Sequence, residues 1–171
     1  MLRLIGAAIV ITACGVGGLT MARSYSIRPQ NLQSLATAVQ MLATEIHYTR
    51  SSLPEACSRI AAQIGNPVAA FFNQFAAQLT SNSGISAAEA FNQSLPVLAD
   101  AGFSQQDVEL VSQIGAVLGR SDAEDQLKHL ELLKTRLQQS IAKAEQERDK
   151  MVRLWNYLGF CVGALVVLML I

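Results

Sequence analysis

The sequence predicts an all-α protein, a six-helix antiparallel bundle flanked by an N-terminal and a C-terminal transmembrane helix. Three observations carry this. Residues 4 to 22 and Leu154 to Ile171 contain no charged side chain, and each run is close to the ~20 residues that a membrane helix needs. The stretch between them, Arg23 to Arg153, holds all but one of the 13 Lys+Arg and all 13 Asp+Glu, so it reads as a water-soluble domain of near-zero charge. That stretch carries repeated Ser-x-x-acid signatures, each opening apolar residues at spacings of three and four, and nowhere alternates with period two. The expected organisation is a transmembrane helix at 4–23, a helical domain at 28–150 and a second transmembrane helix at 153–171.

Composition narrows the function classes. A hydrophobic content of 51% with a mean hydropathy of +0.30 is high for a soluble domain of this size. There is no basic excess to neutralise phosphates, which argues against a nucleic-acid-binding protein. Neither a disordered tail nor a disulfide-stapled module fits. Of the three cysteines, Cys14 and Cys161 lie in the apolar ends and only Cys57 in the central domain, so neither an intramolecular disulfide nor a zinc cluster can be built.

Orientation follows from basic residues flanking the spans, which tend to stay in the cytoplasm. Arg23, Arg28, Lys143, Arg148, Lys150 and Arg153 lie on the central side, against Arg3 on the far side. The domain is expected to face the cytoplasm, with both termini outside. An alternative arises at Ile11-Thr12-Ala13-Cys14, which resembles the lipobox of a bacterial lipoprotein. Cleavage and acylation there would give a membrane-anchored envelope adaptor with an external helical domain. Against it, the apolar run continues past Cys14 through Val16, Leu19 and Ala22.

The helices follow in order. Pro29 stands where a helix can begin, and Leu32, Leu35, Val39, Leu42 and Ile46 recur at helical spacing, giving a first helix over 30–48. Ser52 with Glu55 opens a second, 53–64, stopped by Gly65-Asn66-Pro67 with Gly65 as the C-cap glycine. A third, 68–79, presents Val68, Phe71, Phe72, Phe75 and Leu79, and Asn82-Ser83-Gly84 breaks the chain. Ser86 with Glu89 opens the fourth, 86–98, shortened by Pro96. Ser104 with Asp107 opens the fifth, 105–118, which Gly119 ends. Ser121 with Glu124 opens the sixth, which has no breaker before the chain end, because Gly159 and Gly163 fall in a membrane span where glycine is tolerated. Its first part buries Leu127, Leu130, Leu133, Leu137 and Ile141. From Lys143 to Arg153 it is polar nearly all round, with Lys143–Glu147 and Asp149–Arg153 at the i,i+4 spacing. A straight charged stalk and a kink near residue 150 are both compatible with this pattern.

Catalytic constellations are absent from the sequence: no phosphate-binding glycine loop, no H-E-x-x-H, no C-x-x-C and no G-x-S-x-G. His47 and His129 each fit a half-exposed structural position better than a ligand or base. Cys57, one turn into the second helix, has apolar neighbours and reads as structural, although a helix N-terminus can lower a thiol pKa. Asp122, Glu124 and Asp125 suit a helix N-terminus and do not make a metal site. No cofactor and no enzymatic activity are expected.

Interaction features are better represented. Gly159 and Gly163 form a G-x-x-x-G in the second span, and Cys14, Gly18 and Ala22 place small residues every four positions in the first. Such faces let helix backbones approach closely in lipid, so the spans can pack on each other or on a neighbouring copy in a homo-oligomer. Gly115 and Gly119 repeat the spacing, where close helix packing or termination is the simpler reading. For a partner at the domain surface, the candidates are Arg120 and Asp122 in the charged loop before the sixth helix, with Glu45 and Arg50 near the first helix end. A charged loop is more often merely solvated.

Several segments in order resemble one known family. They are Met1-Leu2-Arg3-Leu4-Ile5-Gly6; Met21-Ala22-Arg23-Ser24-Tyr25 with Arg28-Pro29; Leu42-Ala43-Thr44-Glu45-Ile46 with Tyr48; Leu53-Pro54-Glu55-Ala56; Ala87-Ala88-Glu89-Ala90; and Gly115-Ala116-Val117-Leu118-Gly119-Arg120-Ser121-Asp122 leading to Gln126-Leu127-Lys128-His129-Leu130. Together with the two terminal spans they resemble the stage III sporulation protein AB family of endospore-forming bacteria. That family is itself similar to the cytoplasmic domain of the type II secretion inner-membrane platform protein called F. The resemblance covers nearly the whole chain and implies a retained first anchor. It further implies a non-catalytic platform or scaffold subunit of a trans-envelope, secretion-like channel complex in the mother-cell membrane around the forespore, needed for endospore formation. The implied partners are a cytoplasmic secretion-type ATPase of the same system, other sporulation channel membrane proteins and the lipid bilayer.

Overall fold

The computed structural model describes residues 25–49, 51–81, 84–115, 117–118 and 123–170, and among these it is helical without a strand. Helix α1 covers 25–44 and closes in a π turn, Glu45–Thr49. It is followed by α2 (Leu53–Gln63), α3 (Val68–Ser81), α4 (Ala87–Ser94), α5 (Pro96–Asp100), α6 (Gln105–Gly115) and α7 (Ala123–Leu170). The six expected helices are present, the fourth divided into α4 and α5. By packing, the described residues fall into two compact units, 30–141 and the pair of segments 25–29 and 142–170.

In the first unit, α2 packs along α3, α3 against α4, α4 against α6, and α5 touches α3, α4 and α6. Most of the expected apolar stripes fill its core, with Ile46 and Leu79 only half-buried near the ends of their helices. Leu32, Leu35, Val39 and Leu42 of α1, Phe71, Phe72 and Phe75 of α3, and Leu130, Leu133 and Leu137 of α7 are buried. Leu127 and Ile141, expected beside them, are only half-buried, because they lie at the margins of the stripe. Phe91 of α4 meets Phe71 and Phe75 edge to face, with centroids 5.2 Å apart in both pairs, each such pair adding about 1 kcal/mol beyond area burial.

Several local expectations give way to physical detail. Helical backbone already holds at residue 25, so Pro29 lies within α1 rather than opening it. Ser52 occupies the N-cap of α2 in extended conformation, but its side chain makes no cap hydrogen bond; Pro54 at the second helical position has no N–H to offer. The end of α2 is reached through extended backbone at Ile64, without a left-handed glycine at 65; the Asn66–Pro67 peptide bond is cis. Ser86 and Glu89 do form the reciprocal box, with Glu89 N–H donating to Ser86 Oγ at 3.2 Å and Ser86 N–H to Glu89 Oε2 at 2.9 Å. Ser104 and Asp107 repeat it at 3.2 and 2.9 Å. Ser121 lies outside the described residues.

Pro96 divides the fourth helix because it cannot donate to the Asn92 carbonyl. Leu95 N–H takes that acceptor instead at 3.3 Å, while the Leu95 carbonyl accepts from Leu98 and Ala99 to start α5. The α5–α6 turn uses Gly102 at φ +88°, a left-handed conformation that suits glycine, and Asn31 Nδ2 donates to the Ala101 carbonyl there at 2.9 Å. Helix α6 ends at Gly115, short of the expected 118. Val117 and Leu118 N–H both donate to the Ile114 carbonyl, at 2.9 and 3.1 Å, and bury Leu118 in a turn.

In the second unit, Arg28 Nη1 donates to Glu147 Oε2 at 2.8 Å and Arg148 Nη2 to Asp149 Oδ1 at 2.8 Å. The expected i,i+4 pairs Lys143–Glu147 and Asp149–Arg153 are thereby replaced, since shorter or more convergent arginine geometry competes for the same carboxylates. No helix among the described residues is long and apolar enough to cross a membrane. The span expected at 4–23 lies outside the described residues. Of that at 153–171, the backbone is helical to Leu170 within α7, and the side chains at 156, 159, 160 and 162–171 lie outside them.

Candidate functional site

The most distinctive surface feature is the π turn Glu45–Thr49. Isoleucine, histidine, tyrosine and threonine in succession are weak helix formers, and a helix that accommodates an extra residue here turns its side chains away from the α1 stripe. Inserted π turns recur at functional positions. Tyr48 projects from this one with 77% exposure, and the His47 ring stands edge-on to it at 4.5 Å and 89°.

The turn is braced from α2. Arg59 donates Nε to Glu45 Oε1 at 3.3 Å and Nη2 to Glu45 Oε2 at 2.6 Å, a two-point fork, and Nη2 also reaches Ser51 Oγ. The hydrogen bond to Glu45 first, then the charges of Glu45 and Glu55, push the Arg59 guanidinium pKa up against the opposing effect of desolvation. Glu45, expected as a surface charge for a partner, is therefore committed to Arg59. The same arginine borders an open groove between α2 and α3, lined by Glu55 and Ser58 on one side and Asn73, Ala77 and Thr80 on the other. Of the hydroxyls on the groove walls, Ser58 Oγ donates to the Pro54 carbonyl at 3.0 Å and Thr80 Oγ1 to the Ala76 carbonyl at 2.9 Å.

Other sequence-derived candidates fall apart in space or out of view. Arg50, Arg120 and Asp122 lie outside the described residues, as do Gly18 and Ala22. Gly159 and Gly163 lie in the helical backbone of α7. His129 is half-exposed, with Nε2 4.0 Å from Asp125 Oδ1. Beside it, a hollow of about 30 Å³ among Leu110, Ile114 and Leu133 has room for little more than a water. Cys57 is fully buried, and desolvation pushes its thiol from 9.0 up to about 12, which makes the thiolate scarce at neutral pH and removes the basis for a reactive cysteine. Among the described residues, no group of His, Cys, Asp and Glu is placed to hold a metal ion. Sequence reasoning placed Glu45 at the site but missed Tyr48 and Arg59 as its anchor and brace; the run of weak helix formers at 46–49 was the available signal.

The described residues form an all-helical protein with an exposed aromatic turn and an open groove on its surface. Comparisons with known proteins make this particular. The chain belongs to the stage III sporulation protein AB family, whose sequence profile matches residues 3–171. It is 37% identical over 171 residues to the stage III sporulation protein AB of Bacillus subtilis (strain 168), covering 99% of each chain. A solved structure of a stage III sporulation protein AB is similar with a TM-score of 0.68 and 35% identity, covering 72% of this chain and 98% of that one. The protein is thus a sporulation protein of all-helical fold.

Proposed function

We propose that this sporulation protein is a non-catalytic platform subunit of a trans-envelope, secretion-like channel complex, anchored in the mother-cell membrane around the forespore by its two apolar ends. In this reading Gly18, Ala22, Gly159 and Gly163 are the small residues on which the spans pack. The bundle faces the cytoplasm and docks a secretion-type ATPase of the same system. The observation that carries the docking role is the π turn braced by the Glu45–Arg59 fork, with Tyr48 exposed on it; tyrosine is among the residues enriched at binding hot spots. Arg50, Arg120 and Asp122 are carried in this reading as further charges for the partner, on the strength of the sequence alone. No activity of its own is part of the proposal.

The test has two arms. Single-cysteine variants, one with Gln138→Cys and one with a cysteine added after Ile171, are labelled in intact cells with a membrane-impermeant thiol reagent. Labelling at the tail with protection at 138 supports two spans and a cytoplasmic bundle. Labelling at 138 sinks that topology and favours an external, lipobox-anchored domain. Co-purification with the ATPase from sporulating cells is expected for the parent chain and to fall at least tenfold for Tyr48→Ala, with the melting transition unmoved. Equal recovery with Tyr48→Ala overturns the assignment of the docking surface.

A further inference from the structure

The unit made of 25–29 and 142–170 exposes large apolar and aromatic side chains beside a basic pair. Tyr25 and Ile27 of α1 are exposed, as are Met151, Leu154, Tyr157 and Leu158 of α7, Leu154 at 52% and Tyr157 at 71%. A helix surrounded by water does not ordinarily leave so many such residues uncovered over two turns. Lys150, Arg153, Leu154 and Tyr157 line one open face of α7 together with Gln146 and Asp149, following the three-and-four spacing of a helix face.

The charge on this face is decided by pairing. Arg148 donates both Nε and Nη2 to Asp149 Oδ1, at 2.9 and 2.8 Å, and Arg28 takes Glu147 Oε2 at 2.8 Å. Both nearby carboxylates are thus engaged by arginines other than Arg153, and no acidic residue follows Asp149 in the sequence. Lys150 and Arg153 leave a surplus of positive charge next to an exposed tyrosine, the combination that suits a bilayer interface: phosphate for the cations, and the headgroup boundary for an amphipathic ring.

We propose that this face of α7 is a collar that binds anionic phospholipid headgroups. Lys150 and Arg153 take the lipid phosphate, Arg153 with two N–H groups at once, while Leu154 and Tyr157 enter the boundary with the acyl chains. The proposal rests on the membrane-anchored reading above and adds the class of lipid that the protein recruits around itself.

Trp155, the one tryptophan of the chain, follows Leu154 in this segment and reports on the lipids around it. The full-length protein is reconstituted in phosphatidylcholine vesicles containing a trace of dansyl-labelled phosphatidylglycerol or, separately, dansyl-labelled phosphatidylcholine. Energy transfer from Trp155 measures the enrichment of each. The expected result is preferential transfer to phosphatidylglycerol, about fivefold for each contributing basic side chain, eroded by salt. Lys150→Gln with Arg153→Gln is expected to abolish the preference while transfer to phosphatidylcholine and Trp155 emission stay as before. Equal transfer to both headgroups, or a preference that survives the double substitution, overturns the collar and leaves the membrane anchor standing. Transfer to neither lipid overturns the collar together with the membrane anchor.

Discussion

Gly115 of α6 lies so close to Phe91 of α4 that a Cβ built on it would stand 2.8 Å from Phe91 Cδ1 and 3.2 Å from Phe91 Cβ. The phenylalanine cannot step aside, because its ring is wedged edge-on against Phe71 and Phe75. The glycine is therefore a packing residue that sets how closely α4 and α6 approach. Gly115→Ala is expected to destabilise the bundle by about 1–3 kcal/mol through overpacking. Gly65→Ala, at a position where a Cβ would meet nothing within 4 Å, should stay within about 0.5 kcal/mol of the parent. Thermal unfolding of the full chain in detergent, followed by circular dichroism, checks the pair; equal effects at the two sites would contradict the packing argument.

The serine caps should separate in the same assay. Ser86→Ala removes an oxygen that accepts the Glu89 N–H and is expected to cost about 1 kcal/mol. Ser104→Ala is expected to cost more, about 1–3 kcal/mol, because Asp107 is buried and uses Ser104 Oγ as a donor at 2.7 Å. Ser52→Ala, at a cap without a side-chain bond, should be silent.

Cys57 makes a pH prediction whose sign is set by burial. Its folded pKa is raised to about 12 from 9.0, so the fold favours the neutral thiol. This contribution is fully present below pH ~9 and is lost as pH rises towards 12, with a slope of about 1.4 kcal/mol per pH unit. Cys57→Ala lowers stability at neutral pH through a small cavity but lacks that slope, so the gap between the two proteins is expected to narrow, then invert, above pH ~9. In the native protein Cys57 should resist thiol reagents at pH 8 while the denatured chain reacts.

The Glu45–Arg59 fork has a local readout. Glu45→Gln and Arg59→Ala are each expected to speed amide hydrogen exchange over 45–49 with little change elsewhere, since the brace holds the π turn from outside its own backbone. Arg59→Lys should behave like Arg59→Ala, because an ammonium cannot reproduce two-point contact. Lys128→Ala, which breaks an i,i+4 pair to Glu124 with both side chains largely exposed, serves as the comparison and should leave exchange there unaltered.

Much of the fold is legible along the chain because its signals are short-range. The boxes at Ser86 and Ser104 act across three residues, Pro96 acts on the Asn92 carbonyl within one turn, and the stripe from Leu32 to Leu42 is a matter of period. Ser52 shows where such reading stops: its box needs the helix entry to aim the hydroxyl at the Glu55 N–H, and no cap hydrogen bond forms in the entry it has. The candidate site was only half legible, since Glu45 stood out as a charge whereas its partner lies fourteen positions on.

The sequence alone determined the helical class, the charge-free ends, the charge balance of the stretch between them and the family, because composition, hydrophobic period and ordered local motifs survive without coordinates. Tertiary structure decided which cation these carboxylates take, with Arg59 on Glu45 and Arg28 on Glu147, and whether a glycine ends a helix or admits a phenylalanine. An ion pair falls off within a few ångströms and a steric contact within a fraction of one, so both depend on distances that only packing between distant segments sets.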